Sequence, residues 1–198
     1  QKRKGVFDME KARPVSLKEI RIRDNFWDKY RRLVREEILK YQWCAMNDQI
    51  EGAPKSHCIE NFRIAAGEKQ GEFYGAVFQD SDEAVAYTLA EKPDKELKKL
   101  ADSVIELIGR AQEPDGYFNT YFILKEPGQR FRNLREGHEL YTLGHMIEAA
   151  VAYKRAPGEK RFLEIVGSGG GVLYGDGKRS SSENYGEKYR IDLFNFWR

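Results

Sequence analysis

Apolar residues recur at intervals of three and four through most of this chain, and that period predicts helices. From the N-terminal side they fall at Phe26/Trp27, Tyr30, Leu33/Val34, Ile38 and Tyr41, with Arg, Lys and Glu between them. Such spacing makes one long amphipathic helix, and Asp24 stands where its N-cap belongs. Ile20 and Ile22 alternate around Arg21 just before it, as a short strand or an extended lead-in would. A loop follows at Gly52-Ala53-Pro54. Ser56 is then placed to cap a second helix whose stripe is Ile59, Phe62 and Ala65/Ala66. Residues 67–75 read as a loop and 83–91 as a short helix carrying Ala84, Val85, Tyr87 and Leu89. Pro93-Asp94 opens the clearest helix, with Leu97, Leu100, Ala101, Val104, Ile105, Ile108 and Ala111 in register. Pro114-Asp115-Gly116 ends it in a turn. After a loop rich in Arg and aromatic residues, Leu140, Leu143/Gly144, Ile147 and Val151 predict a helix from Gly137 to Arg155. A short helix, Glu159 to Val166, completes the series.

The first 166 residues are thus expected to form one helical domain. Residues 167–198 have a different character. Gly167 to Gly171 is linker-like. Val172–Tyr174 with Gly175-Asp176-Gly177 suits half of a hairpin, and Tyr189, Ile191 and Leu193 alternate as a strand would. The expected fold class is therefore mainly α with a short irregular or β-like C-terminal tail. Joined helices without strand–helix alternation fit a bundle, an α-solenoid or an α/α barrel equally well.

Composition narrows the function classes. A chain of 198 residues makes one ordinary domain. Its 34 basic and 32 acidic residues nearly cancel, so the total charge asks for neither nucleic acid nor an anionic membrane as partner. No apolar run approaches the length of a membrane span. No signal peptide is visible ahead of the first helix, which points to a cytoplasmic setting. Cys44 and Cys58 could make one disulfide, but both fall in helical segments, where buried thiols in a reducing compartment are the simpler expectation. The aromatic share, 13%, is high. Rings of this kind fill cores and also stack on sugar faces.

Particular residues sharpen this. Gly175-Asp176-Gly177-Lys178 is no phosphate loop, because Val172 stands where the first glycine is needed and Arg179 where Ser or Thr is. His138 and His145 share a helix side but stand about 10 Å apart along its axis at the usual rise per residue, too far for one zinc ion. His57-Cys58 suits no common zinc spacing, so no metal ligand is assigned. Gln79-Asp80-Ser81-Asp82 reads equally as a helix cap and as a rim of acceptors for hydroxyl groups. His138, in the first turn of its helix, is either a satisfied structural imidazole or one aimed at a ligand.

Four blocks in order, YQWCAMND (41–48), SHCIENFRIAAGEKQGEFYGAVFQDSD (56–82), AQEPDGYFNTYF (111–122) and GHELYTLGHMIEAAVAY (137–153), resemble the bacterial non-reducing-end β-L-arabinofuranosidases across residues 14–154. The resemblance implies part of a six-hairpin α/α barrel and release of terminal β-L-arabinofuranose with retention. It also implies a cysteine nucleophile held on zinc by further cysteines and a glutamate, with another glutamate as acid/base. By the same resemblance His138, Asp80, Asp82, Ser56 and His57 line the sugar pocket. No residue of this chain matches the catalytic or zinc-binding positions, and Cys44 and Cys58 stand in the wrong blocks to be the nucleophile. EAVAY follows Asp82 at once, where the family has an intervening stretch, and PGEKRFLEIV (157–166) resembles a later helix of the barrel. A partial barrel leaves apolar helix faces uncovered, which implies self-association as a homo-oligomer.

Overall fold

The computed structural model describes residues 15–16, 19–75 and 83–173. Helix α1 (Asn25–Leu33) runs through a π-helical turn (Val34–Ile38) into α2 (Leu39–Met46). There follow α3 (Cys58–Ala65), α4 (Glu83–Glu91), α5 (Lys95–Ala111), α6 (Thr120–Leu124), a 3₁₀ turn (Pro127–Gln129), α7 (Glu139–Arg155) and α8 (Arg161–Leu173). No strand occurs among the described residues, and Ile20 and Ile22 belong to an irregular exposed lead-in.

Helix starts follow local chemistry. The Asp24 carboxylate accepts from the amides of Phe26 and Trp27 at 2.8 and 3.0 Å, and Asp94 caps Glu96 and Leu97 in the same way. Ser56 is not the N-cap of α3. That position is His57, in left-handed backbone with φ of 54°. The chain turns into the helix one residue later than expected, and the Ser56 hydroxyl accepts from Cys58 N at 3.3 Å from just outside it.

The core lies where α7 packs on α4 and α8 while α5 packs on α3, α4 and α8. Ile59, Phe62, Ile105, Ile108, Met146, Ala150 and Val166 are all buried within it. Polar ties join the same elements: Tyr153 donates to Asp102 across α7 and α5 at 2.5 Å, Arg161 pairs with Glu106 at 2.9 Å, and Gln112 donates to the Ile165 carbonyl at 2.8 Å. An apolar cavity of about 130 Å³ remains between Leu39, Trp43, Cys58, Ile108 and Met146. With so little polar lining such a space stays dry.

Three expectations are corrected here. The Gly-rich run after Val166 is not a linker throughout, because α8 continues to Leu173. Glycine costs a helix about 1 kcal/mol per residue, but extending a helix already nucleated by packed turns is far easier than starting one. The expected boundary at 166/167 therefore falls inside a helix. The stretch before α7, expected to be loop, also contains a short helix, α6: Asn119 caps it through Tyr121 N, and Tyr117, Phe118, Asn119 and Thr120 are buried. Val172 and Leu173, expected in half of a hairpin, are instead the last residues of α8, while Tyr174, the turn after it and the expected strand of the tail lie outside the described residues.

The stripe of α1 is the exception to burial. Phe26, Trp27, Tyr30 and Leu33 form an exposed face, Trp27 retaining 55% of its surface. Their rings contact one another, and α1 is tied down mainly by Arg31, which donates to the Ile22 carbonyl at 2.8 Å and pairs with Glu91 at 3.0 Å. The two kinds of apolar position should respond differently to truncation. Ile108→Ala should cost about 2–5 kcal/mol, and Trp27→Ala no more than about 1 kcal/mol, as measured by denaturant unfolding followed by circular dichroism.

Candidate functional site

Two helices begin on a histidine in left-handed backbone: α3 on His57, and α7 on His138 with φ of 50°. Non-glycine residues visit this region at a cost of about 1–2 kcal/mol and are held there only by their surroundings.

Around His57 the holding group is Asp48, itself left-handed at the end of the turn after α2. Its Oδ1 accepts from Ser56 N at 2.6 Å and from His57 N at 3.0 Å, while the Ser56 hydroxyl reaches the Ala45 carbonyl at 3.1 Å. The His57 imidazole places Nδ1 at 3.2 Å from Glu60 Oε2 and 3.4 Å from Asp48 Oδ2. A carboxylate can only accept, so Nδ1 carries a proton, and Nε2 is the ring nitrogen these carboxylates do not engage. Glu60 also takes the Lys69 ammonium, and these contacts, Lys69 first and then His57, hold its carboxyl below the usual range.

The segment 71–75 lies across this end of α3. Asn61, buried at 2% exposure, bonds Tyr74 at both backbone groups, Nδ2 to O at 2.8 Å and Oδ1 from N at 3.1 Å. Gly75 has φ of 90°, and a Cβ there would meet the Ser56 carbonyl at 3.0 Å. This close approach sets the Tyr74 ring beside His57, centroids 5.3 Å apart.

From here rings lead to the second histidine. Phe73 packs edge-on to Tyr121 at 5.2 Å, and Tyr121 on Phe122 at 4.9 Å. Phe122 lies against Gly137, where a Cβ would meet its ring at 3.1 Å and the Asn133 carbonyl at 2.7 Å. His138 follows, with Tyr141 at 6.1 Å and His145 a further 4.3 Å from that ring. Beneath His138, the buried Glu139 accepts from the Tyr117 hydroxyl and from Phe131 N at 2.8 Å. Burial raises the Glu139 carboxyl above its usual range, against the lowering effect of those two donors and of Arg130. Arg130 itself sits 4.1 Å over the Tyr117 ring and pairs with Glu113 and Asp115.

Ser56 and His57 thus share the start of α3, and His138 lies at the far end of a chain of contacts that runs through the buried rings of Phe73 and Phe122. Asp80 and Asp82 lie outside the described residues. Residues not singled out from sequence are Asp48, Glu60, Asn61, Tyr74, Tyr117 and Glu139. A polar Asn61 within the apolar turn of α3, and an acid directly after His138, were the available signals.

A zinc centre was tested against the residues present. Among the described residues, three potential ligands gather once, as Asp48, His57 and Glu60 within 4.8 Å, and neither cysteine is in that group. Cys44 and Cys58 are half-buried and not joined in a disulfide. A cysteine-rich donor set is not assembled, and no chemistry is routed through zinc here. No helix among the described residues is long and apolar enough to cross a membrane.

The comparisons give the class, a family of glycoside hydrolases. Residues 19–185 match the family described as Beta-L-arabinofuranosidase, GH127 catalytic domain, and the chain belongs to that family. The match runs past residue 154, where the motif blocks end. A non-reducing end β-L-arabinofuranosidase of Bifidobacterium longum is 41% identical over 167 residues, covering 74% of this chain and 25% of that protein. The crystal structure of Ara127N, a GH127 β-L-arabinofuranosidase from Geobacillus stearothermophilus T6, superposes with a TM-score of 0.77 at 58% identity, over 81% of this chain and 26% of the other. A second solved GH127 β-arabinofuranosidase gives 0.68 at 30% identity, over 85% and 28%. The chain therefore spans about a quarter of the length of these relatives. Its helices are part of an α/α barrel.

The two carboxyls predict opposite pH behaviour. Glu139 titrates above its unfolded value, so its ionisation costs the fold stability as pH rises from about 4 toward neutrality. Over that window thermal melts should shift in favour of Glu139→Gln relative to the parent chain. Glu60 titrates below its unfolded value, so its contribution is present near neutrality and is lost as pH falls through the acid range. The parent's advantage over Glu60→Gln should close there.

Proposed function

We propose that this chain supplies the sugar-recognising part of a β-L-arabinofuranosidase that releases terminal arabinofuranose with retention. The family match over residues 19–185 carries this reading. In it, His138 and His57 hydrogen-bond the sugar hydroxyls, Ser56 supports the loop beside His57, and Asp80 and Asp82 act as acceptors at the pocket mouth. The fixed His57 Nδ1 contact supports this role, because it leaves Nε2 as the group a hydroxyl would meet. Retention needs a nucleophile and an acid/base group. The family resemblance assigns neither to a residue of this chain, and the zinc it implies has no cysteine cluster among the described residues.

That last observation favours a second reading for the isolated chain: a sugar-binding fragment without turnover, whose activity belongs to the longer relatives. The half-buried thiols support a reducing, cytoplasmic setting, and the exposed face of α1 supports self-association into homo-oligomers.

With zinc and a reductant present, the purified chain should show no hydrolysis of a chromogenic β-L-arabinofuranoside while keeping its helical circular dichroism. Turnover would require a nucleophile among its own residues. Titrated with methyl β-L-arabinofuranoside, His138→Ala should bind about tenfold more weakly, the effect of one lost hydrogen bond, with an unchanged melting temperature. A collapsed melting temperature would make His138 structural.

A further inference from the structure

We infer that Glu139 is a positioning residue, a two-armed clamp that fixes the aim of the His138 imidazole by tying the first turn of α7 to the turn at 113–117 and to the loop before α7. The inference rests on the sugar-contacting role proposed for His138.

Glu139 is only 3% exposed, and each carboxylate oxygen has a different partner: Oε1 the Tyr117 hydroxyl, Oε2 the amide of Phe131. Taking a carboxylate out of water is costly unless donors replace the lost hydration. Packing alone does not call for it, since an apolar side chain would fill the space without that cost. What the carboxylate adds is attachment at a place where the backbone is twice strained. Phe131 is left-handed with φ of 57°, and His138 with φ of 50°. The Glu139 carboxylate holds Phe131 through its amide and begins one peptide bond beyond His138.

Two further anchors act along the chain: Gly137 N on the Asn133 carbonyl, and Thr142 N on that of His138, both at 2.8 Å. They keep the turn closed but do not fix how α7 starts relative to the loops around it. Tyr117 does, because its own position is set from three sides. Its amide bonds Asp115 at 3.0 Å, its carbonyl accepts from Glu113 N at 2.7 Å, and Arg130 covers its ring. The clamp therefore refers His138 to a rigid corner rather than to a mobile loop. Such support is what a hydrogen-bonding side chain needs if it is to meet a ligand without first paying to be ordered.

The test uses the full chain, with Tyr117→Phe, Glu139→Gln, Glu139→Ala and His138→Ala. In ligand-free protein the imidazole ¹H–¹⁵N signals of His138, identified by their loss in His138→Ala, should shift or broaden in Tyr117→Phe and Glu139→Ala. Those of His57, on another helix, should stay in place. Glu139→Gln, which still accepts one bond and can donate to the Tyr117 oxygen, should restore most of the parent signal. Affinity for methyl β-L-arabinofuranoside should fall about tenfold in Glu139→Ala and recover in Glu139→Gln. If Glu139→Ala fails to fold, Tyr117→Phe, which removes one oxygen, decides. His138 signals and sugar affinity unchanged in Tyr117→Phe would overturn the inference. Unchanged affinity in His138→Ala would instead overturn the sugar role of His138, while the ligand-free spectra still decide the clamp.

Discussion

At the start of α7 a carboxylate has been taken out of water and given two donors from separate loops. Glu139 cannot move without freeing the Tyr117 hydroxyl and the Phe131 amide inside the protein, and an unsatisfied buried donor costs about 1–3 kcal/mol. Neither loop can move without exposing that cost. The corner formed by residues 113–117, Arg130, Phe131 and the first turn of α7 is therefore held as a unit. It borders the core through Phe118, Leu143 and Met146, so the rigidity of the packed helices is passed to the residue that begins α7.

The other histidine is held by a different device with the same result. At α3 the anchor is Asp48, whose carboxylate takes two backbone amides and faces the imidazole. Its side chain keeps 12% of its surface, so it too is largely buried, though less completely than Glu139. Asn61 then fastens Tyr74 against the same helix end. In both places a left-handed histidine is supported by an acid on one side and a ring on the other. The strain is local, and the support comes from other elements. A helix end that only needed a cap would carry Ser or Asp in extended backbone, as α1 and α5 do with Asp24 and Asp94.

That contrast explains what could be read from the sequence. The Asp24 and Asp94 caps and the stripes of α3, α5 and α7 are local signals, carried by residues within a few positions of each other. They were legible. The motif blocks led to the family, and the resemblance nominated Ser56, His57, Asp80, Asp82 and His138 as candidates. The left-handed histidines were not legible, because nothing within the run Ser56-His57-Cys58 shows that Asp48 claims its amides. Nor was the Glu139 clamp, since its partners lie 22 and 8 residues away and meet it only after folding. The extension of α8 through Gly167–Gly171 was missed for the opposite reason. There a local propensity was taken at face value although the preceding turns, with Ile165 and Val166 fully packed, had already covered nucleation.

The exposed face of α1 belongs to the same division between local and distant support. Its sequence carries strong local helix signals: an aspartate cap, an amphipathic period and arginines in the last turn, where they suit the helix dipole. Among the described residues Phe26, Trp27 and Tyr30 nevertheless stay exposed, Trp27 and Tyr30 lining an open groove with Ala84, Tyr87 and Thr88 of α4. The helix is attached through Arg31 and through its continuation into α2, whose Leu39 does reach the interior. Stability in such a molecule is uneven, since local opening costs least where few apolar contacts must be broken. The histidine-bearing ends of α3 and α7 lie on the well-packed side, between the core helices and their carboxylate anchors. The weakly held side is α1. The arrangement therefore anchors both histidine-bearing helix ends through packed elements, independently of how firmly α1 is held.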